Sequence, residues 1–253
     1  MQPVATADTS PYFLHKEQRL KTIGLIGGMS WESTVPYYRI INETVKEKLG
    51  GLHSARLVLY SVDFHEIERL QHRGDWEAAG HRLAEAAVAL EKAGADFLVL
   101  CTNTMHKVVH AIEAAVQIPL LHIADATAQQ IQTQDISVVG LLGTRFTMEQ
   151  AFYKDRLSDR YGLQVLVPDE AERATVHKVI YEELCLGQIR EASREAYRQI
   201  VRNLVARGAQ AVILGCTEIS LLLKPEDADV PLFDTAAIHA RQAAEQALRD
   251  KGE

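Results

Sequence analysis

The stretches IGLIGG (23–28) and GADFLVLCT (94–102) return later in the chain as VGLLGT (139–144) and GAQAVILGC (208–216). A third pair, IPLLHI (118–123) and VPLFDT (230–235), follows in the same order, and the offsets between partners run from 112 to 116 residues. Each is a short apolar run bounded by Gly, Pro or a polar turn, the pattern of a strand buried on both faces of a parallel sheet. Amphipathic stretches of helical length separate them: one from about Glu32 to Leu49, a long one ending near Lys92, and another long one reaching Arg207. Further strands are expected at ARLVLYSV (55–62) and LQVLVP (163–168). Strands alternating with helices mean parallel α/β layers joined by right-handed crossovers. A repeat of that pattern predicts two pseudo-symmetric α/β/α domains with parallel sheets. The expected division is an N-terminal extension over 1–20, a first domain of 21–118 plus 227–253, and a second of 119–226. Ligands of such sheets bind beyond the carboxyl ends of the strands. The expected active site is therefore the interdomain cleft, collecting residues 28–30, 102–104, 144–147 and 216–218.

Composition narrows the function classes. A chain of 253 residues can bury a sizeable core without disulfides or a structural metal. Hydrophobic residues at 47% and charged residues at 24% exclude a disordered chain. The net charge of −7 provides no basic field, which argues against a nucleic-acid or membrane-surface partner. No apolar run reaches the ~18 residues a membrane span needs, and residues 1–19 lack the apolar core of a secretory signal. Three cysteines, Cys101, Cys185 and Cys216, are too few for a disulfide scaffold and suit a reducing cytoplasm, the expected location.

The motifs point to thiol chemistry. Gly24–Gly28 has the spacing G-x-x-G-G and the first acid at a second-strand end is Asp63, so a dinucleotide fingerprint is rejected. Gly27 and Gly28 instead allow a tight turn or a close approach to a small ligand. Cys216 ends an apolar strand and is followed by Thr217 and Glu218, a position at which a helix N-terminus favours a thiolate. Cys101 resembles its twin, since both stand in Cys-Thr pairs. The gap-free match from Gly94 and Gly208 nevertheless sets Thr102 opposite Cys216, and Cys101 opposite Gly215. Strand side chains alternate faces, so Thr102 is expected in the cleft and Cys101 in the sheet packing. Asn103, Thr104 and Thr217 lie where helices open, suited either to binding an anion such as a carboxylate or to capping. His106 and His110, at i,i+4 spacing, lack a third metal ligand and are expected on the surface or as caps; Cys185 is expected within a helix, in the core. No G-x-S-x-G, P-loop or pyridoxal-phosphate lysine context is found, and neither a cofactor nor a metal is expected.

GGMSWEST (27–34), CTNTMH (101–106), LLGTRFTM (141–148) and GCTEI (215–219), in this order and spacing, resemble the aspartate/glutamate racemase family over about residues 21–250. The resemblance implies two pseudo-symmetric α/β/α domains with the site between them, frequent dimers, and no metal or pyridoxal phosphate. It also implies two-base chemistry: one cysteine removes the α-proton of an amino acid and a second returns a proton on the opposite face. Cys216 matches the family's second catalytic cysteine. Glu218 stands where aspartate racemases carry glutamate and could position or protonate that cysteine. Asn103 and Thr104 match the Asn-Thr after the first catalytic cysteine, but the residue before them here is Thr102, with Cys101 one place early as the alternative acid/base. Met29, Ser30, Thr144 and Thr147 match substrate-pocket positions, with Thr217 beside them. Lys178, in HKVIYEEL, resembles the lysine that meets the substrate's side-chain carboxylate. The arginine expected after strand two is missing from SVDFHEIE (61–68), and Arg69 comes slightly later.

The expectation is thus an amino-acid racemase without cofactor, a homodimer, acting on aspartate, glutamate or a similar polar amino acid. Because Thr102 replaces a cysteine, it should favour one enantiomer. Three rivals stand beside it: a dicarboxylate isomerase or decarboxylase on the same scaffold, a non-catalytic amino-acid-binding protein, and a cysteine hydrolase pairing Cys216 with His239.

Overall fold

The computed structural model describes residues 20–249; the extension expected over 1–20 lies, apart from Leu20, outside them. In chain order the first half holds β1 (Ile23–Gly27), α1 (Trp31–Leu49), β2 (Leu57–Ser61), α2 (Phe64–Arg73), α3 (Trp76–Lys92), β3 (Phe97–Leu100), a 3-10 turn (Thr104–Val108), α4 (Val109–Ala115) and β4 (Leu120–Leu121). Then come α5 (Ile123–Gln132), β5 (Val138–Gly143), α6 (Arg145–Glu149), α7 (Ala151–Tyr161), β6 (Gln164–Leu166), α8 (Glu170–Glu182), α9 (Glu191–Ala206), β7 (Ala211–Gly215), α10 (Ile219–Leu222), β8 (Leu232–Asp234) and α11 (Thr235–Leu248). Two four-stranded sheets have the orders β2-β1-β3-β4 and β6-β5-β7-β8, and every pairing is parallel. The two orders are the same once β1–β4 are mapped onto β5–β8, which is the internal repeat seen in three dimensions.

Local signals set the element ends. Ser30 caps α1, its hydroxyl accepting from the Ser33 amide, and Asp63 caps α2. The single long helix expected to end near Lys92 is two, because Gly74 takes φ 70° and Asp75 then caps α3. The long helix expected to reach Arg207 is likewise broken, with Gly187 at φ 70° between α8 and α9. A left-handed residue ends a helix, and Gly adopts it without a Cβ clash. Asp169 and Glu172 form a reciprocal capping box that starts α8.

The cores explain how the halves exchange helices. On one face of the first sheet Ile23, Leu25, Phe97 and Val99 pack with Tyr37 and Ile41 of α1 and with Ala240 and Ala244 of α11. On its other face Ile26, Leu98 and Leu100 meet Leu83 and Leu90 of α3 and Ile112 of α4. The second sheet packs Val139, Leu141 and Ile213 on α5 and α7, and Leu142, Val212 and Leu214 on α8 and α9. The last helix therefore returns to the first sheet, while α5 already belongs to the second. The chain leaves the sheets after β4 and after β8, since β4 pairs with β3 and β8 with β7. Both crossings fall a few residues beyond the expected boundaries at 118 and 227. No described helix is long and apolar enough to cross a membrane.

Candidate active site

The carboxyl ends of β1, β3, β5 and β7 point at one another across the gap between the halves. Beyond β1 the chain turns at Gly28, whose φ is 91° and where a Cβ would run into the Val62 backbone. That turn sends Met29 into the cleft and puts Ser30 at the start of α1. Beyond β7 come Cys216, Thr217 and Glu218, all buried. The Glu218 carboxylate collects three donors: Ser30 Oγ at 2.8 Å on Oε1, and Cys216 Sγ at 3.0 Å and Thr217 Oγ1 at 2.7 Å on Oε2. The Ser30 bond joins the two halves directly. Burial pushes the Cys216 thiol well above its usual range, and the Glu218 charge pushes the same way. At rest, therefore, Cys216 is a thiol donating to a carboxylate, not the ready thiolate its helix-N-terminal position suggested; α10 is a single short turn with little dipole to offer.

Beyond β3, Thr102, Asn103 and Thr104 line the opposite wall. Asn103 Nδ2 donates to Thr235 Oγ1 at 3.0 Å, and that hydroxyl donates onward to the Leu214 carbonyl at 2.9 Å. The Thr235 hydrogen is committed, so Thr235 can only accept from Asn103 and the amide orientation is settled. Asn103 Oδ1 is consequently a buried acceptor without a partner among the described residues. Thr104 Oγ1 lies 3.0 Å from Thr144 Oγ1, which in turn is 3.2 Å from Thr147 Oγ1 and caps α6. This hydroxyl chain is a second bridge between halves. Thr144 lines the cleft, whereas Thr147 is fully buried behind it.

Cys101 points away from the cleft. Its side chain is fully buried with Ile23, Tyr37 and Ala240, Sγ lies 3.8 Å from the Val99 carbonyl, and burial pushes its thiol up. Thr102, one residue on, faces the cleft, as the alternation of strand side chains requires.

Lys178 corrects an expectation. It sits on the outer face of α8, exposed, 3.8 Å from Glu182 at i,i+4, and does not reach the cleft. The helix turns Ile180 and Tyr181 inward instead. Arg69 is exposed as well. His106 is also corrected: it is buried, not a surface residue, while His110 is exposed. His106 Nε2 accepts from the Ile123 amide at 3.2 Å, so Nδ1 carries the proton and donates to the Thr102 carbonyl at 2.7 Å. Cys185 stands in a 3-10 turn after α8, half-buried, and lines the cleft.

Sequence reading missed Phe64, Gln71, Ile180 and Tyr181. Gln71 is buried, donates to Met105 Sδ at 2.9 Å and accepts from Tyr181 OH at 3.3 Å, a third bridge between halves. Above it a row of rings runs from one half to the other, Trp76 to Phe146 at 5.1 Å, Phe146 to His177 at 6.3 Å, His177 to Tyr181 at 4.8 Å. These residues come from helices outside the repeat motifs, so only α8 periodicity could have hinted at them. The cleft is closed: it leaves about 20 Å³ for water-sized molecules, room for one water. A wider cavity of about 630 Å³ between α5, α10 and α11 contains none of these groups. Among the described residues no cluster of three His, Cys, Asp or Glu could hold a metal ion.

Two mirrored parallel-sheet halves, closing on a thiol, a carboxylate and a set of hydroxyls, define a two-domain α/β enzyme scaffold. The profile of the Asp/Glu/Hydantoin racemase family matches residues 26–243, and the chain belongs to that family. It is an isomerase of the amino-acid racemase type. It is 25% identical over 228 residues, 87% of this chain and 95% of the relative, to the broad specificity amino-acid racemase RacX of Bacillus subtilis (strain 168). A proposed Asp/Glu racemase from Yersinia pestis has a structure that superposes with TM-score 0.85 at 60% identity, covering 91% of this chain and 100% of that one. PH1733, an aspartate racemase homologue from Pyrococcus horikoshii OT3, gives TM-score 0.79 at 37% identity over the same shares.

Proposed function

We propose that this chain inverts the α-carbon of a polar amino acid by proton transfer at Cys216 on one face and at the Thr102 side on the other. The observation that carries this reading is the Cys216 thiol held 3.0 Å from the buried Glu218 carboxylate, facing Thr102 across the closed cleft. Glu218 Oε2 is placed to take the thiol proton, leaving a thiolate to remove the α-proton. The substrate's α-ammonium fits the unpartnered Asn103 Oδ1, a buried acceptor that costs about 1–3 kcal/mol while unfilled. An ammonium nearby also offsets the Glu218 charge and so favours the thiolate. Carbanion charge spreads onto the α-carboxylate, for which the Thr104, Thr144 and Thr217 hydroxyls line the cleft.

A threonine hydroxyl is a far weaker acid than a thiol. The two half-reactions are therefore unequal, and one enantiomer is the better substrate. Lys178 and Arg69 face solvent, and among the described residues no Lys, Arg or His lines the cleft. That favours an uncharged polar side chain over a second carboxylate, with Gln71 and Tyr181 as its polar neighbours. Entry requires the halves to part, because the closed cleft holds only about one water.

The test is proton NMR in D2O on the purified protein, following the α-proton of L- and D-aspartate, glutamate, homoserine and alanine separately. Exchange that is faster for one hand, and faster for homoserine than for aspartate, is the expected outcome. Absence of exchange with every substrate would overturn the reading and bring the dicarboxylate and binding-protein rivals forward.

A further inference from the structure

A threonine at the start of a helix ordinarily serves that helix as a cap. Thr235, the first residue of α11, serves something else. It is fully buried, and it stands where the chain crosses from the second sheet back to the first. The cap of α11 is Asp234, whose Oδ1 accepts from the Ala236 and Ala237 amides at 3.0 and 3.1 Å. The Thr235 hydroxyl is therefore free for another task. It donates to the Leu214 carbonyl of β7, two residues before Cys216, and accepts from Asn103 Nδ2 beyond β3. One hydroxyl thus links the strand that ends in the thiol to the loop that forms the opposite wall.

The main chain of Asn103 is held separately, its carbonyl accepting from the His106 amide at 3.1 Å. Its side chain has only Thr235 as a hydrogen-bond partner among the described residues. A primary amide has two unlike ends, one accepting and one donating, and its plane can turn over. Because the Thr235 hydrogen is committed to Leu214, turning over would set acceptor against acceptor at Thr235 and aim the NH2 group at the cleft. Thr235 therefore decides which end of the amide the cleft meets. The internal repeat holds no second copy of this device. The gap-free match sets Thr217 opposite Asn103, and VPLFDT against IPLLHI sets Ile123 opposite Thr235. Ile123 has no hydroxyl, Thr217 has no amide to aim, and the Thr217 hydroxyl is bound to Glu218. The aimed acceptor lies on the Thr102 side alone.

We infer that Thr235 is a positioning residue: from the crossing between the halves it aims Asn103 Oδ1 into the cleft and so sets the selection for an α-ammonium group. The inference rests on the reading of Asn103 as the ammonium acceptor. Without the Thr235 hydroxyl the Asn103 NH2 group is buried and unpartnered, a costly state. The amide then turns to give that group a partner, such as the one water the cleft admits. The aimed orientation becomes a minor population, and apparent affinity falls by that fraction. For an amino acid the fall is about fivefold or more. For the same acid without its amino group there is none, since that ligand has nothing to offer Oδ1.

The experiment is calorimetric titration of the full-length protein, which reads binding and does not depend on turnover. Racemic homoserine, alanine, aspartate and glutamate are each compared with the deamino analogue: 4-hydroxybutanoate, propanoate, succinate and glutarate. The readout is the preference for the amino acid, taken as the ratio of the two dissociation constants. Thr235→Val should lower this preference about fivefold or more and leave the analogue's constant as it was. Thr235→Ser, which keeps the hydroxyl, should restore it. Thr235→Cys has a similar volume and only a weak hydrogen-bonding group; it takes the place of valine if that variant does not fold, and should lower the preference as well. In an Asn103→Asp background Thr235→Val should leave the preference unchanged, because both ends of a carboxylate accept. A wild type with no preference in any pair would overturn the ammonium reading and this inference with it. A preference lost in Asn103→Ala but kept in Thr235→Val would overturn this inference alone. Equal weakening of amino acid and analogue, no restoration by serine, or the same loss in the Asn103→Asp background would also overturn it, by making Thr235 a packing residue only.

Discussion

Acid should unfold this protein through three histidines beside the candidate site. His106, His122 and His239 are buried, with ring centroids 4.3 Å apart for the first pair and 6.1 Å for His106 and His239. Each uses a ring nitrogen as an acceptor. His106 accepts from the Ile123 amide, and His122 accepts from Ala124 as the cap of α5. His239 donates from Nε2 to the Leu121 carbonyl and accepts at Nδ1 from Tyr37. Protonation would set a donor against a backbone N–H at His106 and His122, and at His239 it would force the Tyr37 hydroxyl to turn from donor to acceptor. Burial pushes His122 down to about 2, helped by Arg156, and His239 down to about 4; burial also lowers His106 well below its usual value.

All three folded-state values lie below the unfolded ~6.5, so the unfolded chain binds more protons and stability falls with falling pH. Their contribution is complete above ~7 and is lost downward through 6.5 until each folded value is reached. Between pH 7.5 and pH 5 His122 and His239 each cost about 2 kcal/mol, and His106 acts in the same direction. The first two together cost about 4 kcal/mol, a large share of the ~5–15 kcal/mol a domain possesses. The assay is urea unfolding at both pH values. His122→Asn keeps a capping acceptor for α5 and removes the titration, so its loss should shrink by about 2 kcal/mol. A wild type whose stability changes by less than ~1 kcal/mol over this range, or a His122→Asn protein with the full loss, would refute the reasoning. Racemase activity should fall with the same acid limb, since His106 holds the Thr102 carbonyl.

Three further outcomes are expected. Cys216→Ala should lower α-proton exchange at least ~10²-fold, and Glu218→Gln should lower it while shifting the pH profile, as read in the D2O experiment. Cys101→Ala should retain exchange, whereas Thr102→Val should slow it selectively for one enantiomer; the reverse would mean that Cys101 is the second acid/base. Gly28→Ala should cost at least ~2 kcal/mol, seen as a lower melting temperature, because its φ of 91° and the Val62 backbone both exclude a side chain.

Much of the site was legible from the repeat. Strand ends are local features, marked by apolar runs that stop at Gly, Thr or Cys, and a parallel sheet always presents those ends on one side. Aligning the two halves without a gap was enough to separate Thr102 from Cys101, since faces alternate along a strand regardless of tertiary context. The same local chemistry, however, placed helix breaks poorly. Gly74 and Gly187 read as ordinary residues within long amphipathic stretches until their left-handed conformations divided the helices.

By itself the sequence determined the two-fold α/β plan, the thiol and hydroxyl at the strand ends, and the glycine turn that leads to Ser30. Those depend on neighbours along the chain and on strand periodicity. Tertiary structure decided which helical residues enter the cleft, because the rotation of α8 about its axis is set by what it packs against. That rotation brings in Tyr181 and leaves Lys178 in solvent. It also decided the ionisation of Cys216, since desolvation and a carboxylate at 3.0 Å outweigh the weak dipole of a one-turn helix. Burial and proximity in space are collective properties of the packed chain, and no local pattern encodes them.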